Sequence, residues 1–191
     1  MSKDLKSLII QLNINDIQHL YKFKTAINSK HKIAITQTLN TPNKSARIAI
    51  SCKQFCENLV KCGCIPRKSD ILKFPDTNIL PKELYKHFIR GYFDGDGCIC
   101  KCEGFRIRKD RNNAIYPYVK YFMTFFGTIN MLDNISEFLG DKNKYIKNTD
   151  YNYQLKFGGN QKIKSLMSEF YESANVYLDR KHGKYIELMN F

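Results

Sequence analysis

Two carboxylates separated by one glycine, Asp94 and Asp96, end the stretch Leu84-Tyr85-Lys86-His87-Phe88-Ile89-Arg90-Gly91-Tyr92-Phe93-Asp94-Gly95-Asp96-Gly97. Pro81, just ahead, suits the first turn of a helix, where its missing N–H is not needed. Apolar residues at 84, 85, 88, 89, 92 and 93 mark one helical face. The acids then fall at the C-terminal end, where the helix dipole is negative and an acid is disfavoured; a bound cation reverses that sign. Gly91 and Gly95 stand four apart on one side, and each glycine costs a helix interior about 1 kcal/mol. Close backbone approach to a second helix is a reason that offsets the cost. The stretch therefore reads as a packed helix that delivers a carboxylate to a metal. A calcium loop, another use of a D-G-D-G turn, needs further oxygen ligands at regular spacing, and Cys98-Ile99-Cys100-Lys101 offers none.

Other chemistries find less support. The seven cysteines stand at 52, 56, 62, 64, 98, 100 and 102. Cys98, Cys100 and Cys102 share one face of a strand and Cys62 and Cys64 form a C-x-C, but neither is the C-x-x-C pair typical of structural zinc. No cysteine pairs with His19, His31, His87 or His182 as a nucleophile and its base. The odd count and the polar N-terminus, Met1-Ser2-Lys3-Asp4-Leu5-Lys6, favour reduced thiols and a cytoplasmic, organellar or nucleoid-associated protein that is not secreted. No apolar run approaches the ~20 residues of a membrane span. Against 18 Asp and Glu stand 31 Lys and Arg, a formal charge of +13, which makes a nucleic acid the favoured partner. With 13 Phe and 12 Tyr in a chain 43% hydrophobic, a real core can be buried and disorder is not expected.

The elements that must position the acids fall into a degenerate repeat. A strand over 5–12 leads into a helix over 16–27, capped by Asn13 or Asn15, with Ile17, Leu20, Phe23 and Ile27 on one face. Strands over 30–38 and 47–51 flank the turn Asn40-Thr41-Pro42-Asn43-Lys44, and a helix over 53–61 stops near Gly63. The polar stretch 66–80 reads as a linker between an N-terminal half, 1–65, and a C-terminal half, 81–191. After the acid-bearing helix over 82–97 come strands over 98–108 and 116–126, a helix over 130–139, a strand pair over 144–147 and 153–157, a helix over 161–171 and a helical tail over 177–189. Each half runs strand, helix, strand pair, helix.

The nine residues Ile89-Arg90-Gly91-Tyr92-Phe93-Asp94-Gly95-Asp96-Gly97 closely resemble the motif of the LAGLIDADG homing endonucleases, and the repeat extends the resemblance over nearly the whole chain. The resemblance implies an α/β (α+β) chain with a pseudo-symmetric two-half fold, each half an antiparallel sheet saddle backed by helices. The first half lacks its N-terminal motif helix, and residue 1 falls about where the strands of an intact first half begin. It also implies an intron-encoded enzyme that cuts double-stranded DNA with Mg²⁺ or Mn²⁺. Asp96 matches the metal ligand and catalytic acid, and Asp94 the acid with a helix-capping, structural role. Gly91 and Gly95 match the helix-packing glycines. A Lys or Gln near the metals corresponds to Lys156 or Gln161, with Lys53 and Gln54 in the comparable place of the first half.

Phosphodiester hydrolysis by two ions needs paired carboxylates, and Asp4, with no helix before it, is a poor second. A homodimer or a partner chain supplying a second motif helix would complete the pair. DNA would lie on the strand ribbons, which fit the major groove. Candidate contacts are Lys32, Gln37, Asn40, Lys44 and Arg47 in the first half. The second half offers Arg106, Arg108, Lys109, Arg111, Asn112, Tyr118, Lys120, Lys142, Lys144, Lys147, Asn148 and Lys156. Most would meet phosphates, which position without specifying. The alternatives are a non-cleaving binder of DNA or intron RNA on the same scaffold, and a truncated product that needs a partner chain.

Overall fold

The computed structural model describes residues 1–2, 4–37, 44–66, 71–140, 146–147 and 152–191, the pair 146–147 by backbone alone. The first half comprises β1 (Leu8–Asn13), α1 (Ile17–Ala26), β2 (Ile33–Gln37), β3 (Lys44–Ile50) and α2 (Lys53–Lys61). The second comprises α3 (Tyr85–Asp96), β4 (Cys98–Arg108), β5 (Ala114–Gly127), α4 (Ile129–Phe138), β6 (Ile146–Lys147), β7 (Tyr153–Gly158), α5 (Asn160–Tyr171) and α6 (Asp179–Met189).

Both sheets are antiparallel, in the orders β1-β3-β2 and β4-β5-β7-β6. The two orders correspond when β1, α1, β2, β3 and α2 are matched to β5, α4, β6, β7 and α5. Among the described residues, α3 and β4 then have no counterpart in the first half, and the matched elements are the strand, helix, strand pair and helix of the repeat.

Apolar alternation builds two cores. Leu20 of α1 packs on Ala46, Ile48 and Ile50 of β3, with Ile17, Phe23 and Ile27 alongside. In the second half, Ile89 and Phe93 of α3, Tyr121, Met123 and Phe125 of β5, and Leu155 and Phe157 of β7 are all buried. The stretch 66–80, read as a polar connector, contributes Phe74 to that core. Its ring meets Tyr85 and Phe88 edge-on at 4.9 and 5.0 Å, and its N–H donates to Asn130 Oδ1 at 2.9 Å. Asn13 Oδ1 accepts from the Asn15 N–H and caps the 3₁₀ turn Ile14–Asp16 that leads into α1, while α1 itself starts after Asp16 with no side-chain cap; Thr128 Oγ1 accepts from the Met131 N–H at the start of α4. Pro81 sits one turn earlier than expected, ahead of a 3₁₀ turn over Lys82–Leu84 that feeds α3. No helix among the described residues is long and apolar enough to cross a membrane.

Candidate active site and nucleic-acid interface

The two acids at the end of α3 have opposite fates, because residues two apart on a helix do not share a face. Asp94 turns inward and is 4% exposed. Its Oδ1 accepts from the Tyr171 hydroxyl of α5 at 2.5 Å, and its Oδ2 from the Leu178 N–H at 3.0 Å. Burial, and then the Asp94 charge, push the Tyr171 hydroxyl far above the ordinary phenol range. Asp96 faces outward, exposed, and makes no hydrogen bond or ion pair among the described residues. Burial, and then the Asp96 charge, push the Tyr92 phenol up to about 12; its hydroxyl donates to Phe126 O at 2.7 Å.

The turn after Asp96 is tightly built. Gly97 N–H closes the helix on Phe93 O at 2.9 Å. A Cβ at Gly97 would stand 2.2 Å from the Phe93 ring and 2.7 Å from its carbonyl, so only glycine fits. Lys181 of α6 reaches this turn from below. It is 3% exposed, and its Nζ donates to Phe93 O, to Asp94 O at 2.9 Å and to Gly97 O at 2.7 Å. Burial pulls the Lys181 ammonium down to about 8, with the Asp94 carboxylate opposing. In the sequence Lys181 is one residue of the helical tail over 177–189, and no spacing singles it out.

Gly91 and Gly95 lie exposed, and a Cβ at either would find nothing within 4 Å among the described residues. The close approach that two helical glycines imply is therefore not made within the described chain. The described residues also contain no cluster of three or more His, Cys, Asp or Glu able to hold a metal. As a donor, Asp96 suits one coordination position of a hard divalent cation; Asp94, already engaged twice, does not supply another.

The strand registers sort the proposed contacts by face. Cys98 pairs with Thr124 and Thr124 with Lys156, so these three form one row across β4, β5 and β7, beginning two residues after Asp96. At ~4.8 Å per strand, the Lys156 backbone stands about 10 Å from that of Cys98. Lys156 is exposed, with its Nζ 4.0 Å above the Phe122 ring. Lys120, Tyr118, Arg106 and Arg108 follow on the same face through their pairs with Cys102, Gly104, Tyr116 and Ala114. Lys120 Nζ lies 4.9 Å over the Tyr118 ring. Arg108 is held by Asp110 in a two-pronged pair at 3.2 and 2.9 Å, which lowers the charge it can offer elsewhere. Lys109, Arg111 and Asn112 form the exposed turn at the ribbon tip, where Asn112 takes a left-handed φ of 48°.

In the first half, Arg47 pairs with Gln11 and Ala34 on the open face of the sheet, and its Nε is buried with no hydrogen-bond partner among the described residues. Gln37 and Lys44 pair with each other on the opposite, helix-side face. The strand period of two separates them from Arg47. Lys32 is exposed just before β2. Asn40, Lys142, Lys144 and Asn148 lie outside the described residues, and the Lys147 side chain is likewise undescribed. Gln161 is exposed at the start of α5, and Lys53 and Gln54 at the start of α2.

The halves meet where α1 reaches the segment before α6. Lys22 Nζ donates to Tyr177 O at 3.1 Å and pairs with Asp179 at 2.5 Å, His19 Nδ1 lies 3.2 Å from Tyr177 O, and Arg180 pairs with Asp16 at 3.2 Å.

No family model and no curated protein sequence matches the chain. Solved structures do. The LAGLIDADG homing endonuclease I-LtrWI bound to target DNA is 12% identical, with a TM-score of 0.63 over 96% of this chain and 77% of that one. The LAGLIDADG meganuclease I-CpaMI bound to uncleaved DNA is 11% identical, with a TM-score of 0.61 over 96% and 79%. The LAGLIDADG homing endonuclease I-SmaMI bound to cleaved DNA is 9% identical, with a TM-score of 0.60 over 96% and 77%. At these identities the likeness establishes the fold: the chain has the fold of the LAGLIDADG homing endonucleases.

Proposed function

We propose that the chain binds double-stranded DNA and cleaves it as a metal-dependent, sequence-specific endonuclease. The observation that carries this reading is Asp96: an exposed carboxylate without a protein partner among the described residues, at the negative end of a helix, beside a sheet face that carries Arg106, Lys120 and Lys156. A free acid there is unfavourable alone and favourable beside a divalent cation. Asp96 would hold Mg²⁺ or Mn²⁺, which when bound would supply charge neutralisation and an activated water. Lys120, Arg106 and the tip residues Lys109 and Arg111 would grip backbone phosphates. Lys156, in the row that starts beside Asp96, would lie toward the phosphate being cut and stabilise its charge. The open Gly91/Gly95 face would take a second motif helix from another copy or chain, bringing the second carboxylate.

The absence of a multi-ligand cluster among the described residues favours a second reading. In it the chain alone is a non-cleaving binder of DNA or intron RNA on the same fold. Asp96→Asn separates the two. For an endonuclease, the variant binds its duplex as the wild type does and loses Mg²⁺-dependent nicking and cutting. Wild type and variant that bind alike and never cut would leave the binder.

A further inference from the structure

The end of α3 is an unusual place for a buried lysine that has no carboxylate salt bridge among the described residues. Carbonyls at a helix C-terminus lack a full set of intrahelical donors, and that of Asp94, that of Phe93, which also takes the Gly97 N–H, and that of Gly97 just beyond converge on one Nζ. A single ammonium has three protons, and here each has a carbonyl. The three acceptors bracket Asp96 on both sides in the chain, so fixing them fixes the turn from which its carboxylate projects. The segment that carries Lys181 is itself anchored, since Leu178 N–H holds the Asp94 carboxylate and Tyr177 O receives Lys22 from the first half.

We propose that Lys181 is the positioning residue of the Asp96 turn: its ammonium, set among the carbonyls of Phe93, Asp94 and Gly97, fixes the direction of the Asp96 carboxylate and thereby its affinity for a divalent cation. This rests on the reading of Asp96 as a metal ligand. Groups that orient a metal ligand typically change metal affinity 10- to 100-fold when removed. Lys181 touches no metal or substrate, so its role is indirect.

The test uses the full chain and Mn²⁺ followed by electron paramagnetic resonance, with Lys181→Met, Asp96→Asn and a core variant of α4, Leu132→Ala. Lys181→Met should weaken Mn²⁺ binding about tenfold and speed hydrogen exchange at the Gly97 amide about tenfold. Leu132→Ala should lower stability and leave Mn²⁺ affinity in place, so that a loss confined to Lys181→Met is not a general effect of lost stability. Unchanged Mn²⁺ affinity and unchanged Gly97 exchange in folded Lys181→Met overturn the proposal. If wild type and Asp96→Asn bind Mn²⁺ equally, the metal reading fails, and Gly97 exchange still decides whether Lys181 holds the turn. If Lys181→Met does not fold, the wild type decides. Its Lys181 ammonium protons should exchange with water far more slowly than those of exposed Lys184 and show coupling to the carbonyl carbons of 93, 94 and 97. Exchange as fast as at Lys184 overturns the proposal.

Discussion

Asp94 and Asp96 divide one motif between stability and chemistry. The Asp94 carboxylate is buried and satisfied by Tyr171 and Leu178. Asp94→Ala leaves the Tyr171 hydroxyl and the Leu178 N–H without their acceptor in the interior, so it should cost about 1–3 kcal/mol for each orphaned donor in chemical denaturation. Asp96→Ala relieves an exposed acid at the negative end of a helix and should be neutral to stabilising by about 0.3–1 kcal/mol without metal. Equal losses for both would contradict this division. Lys181 adds a pH signature. Its folded pKa, about 8, lies below the ordinary lysine value of 10.5. Between those values the unfolded chain holds the proton more firmly, so this group makes stability rise with pH across that window. Urea unfolding at about pH 7 and about pH 9.5 should therefore show the wild type gaining on Lys181→Met as pH rises. The motif was legible in the sequence because its signal is local. The inward turn of Asp94 and the role of Lys181 were not, because their partners come from 77 to 88 residues away with no spacing rule.

At the scale of elements, helix α3 was legible from periodicity, glycines and acids together. The details that escaped depend on register. Arg47 and Lys44 look equivalent in a basic strand, yet three residues apart on a strand means opposite faces. Phe74 looked like part of a polar connector because a single aromatic among Lys, Pro and Asp carries no period. The Arg108–Asp110 pair, two residues apart, could have been read as a local clamp. The open glycine face yields its own prediction. Gly91→Ala and Gly95→Ala each should stabilise the isolated chain by about 0.5–1 kcal/mol, since a helix interior favours Ala and no described atom obstructs the new methyl. The same substitutions should abolish any association or cutting that needs a helix packed there. Destabilisation of the monomer would instead mean that the face is already covered.

Across the whole molecule the formal charge is +13, and the two halves are joined through Lys22 of α1, which reaches Tyr177 and Asp179. The cations on the open face of the second sheet, Arg106, Lys120 and Lys156, act together with those of the ribbon tip. They should make duplex affinity fall steeply with salt, by a slope near −0.9 for each phosphate neutralised. Replacing Lys120 by Met should lower that slope by about 1 and weaken all duplexes alike. The central claim is tested most directly by selecting duplexes from a randomised library on the wild-type chain and then adding Mg²⁺. The account predicts that a selected duplex is cut at a fixed position, that a chelator stops the cutting, and that Asp96→Asn binds it and leaves it whole. Selected duplexes that are bound tightly yet never nicked with Mg²⁺ or Mn²⁺ would contradict it.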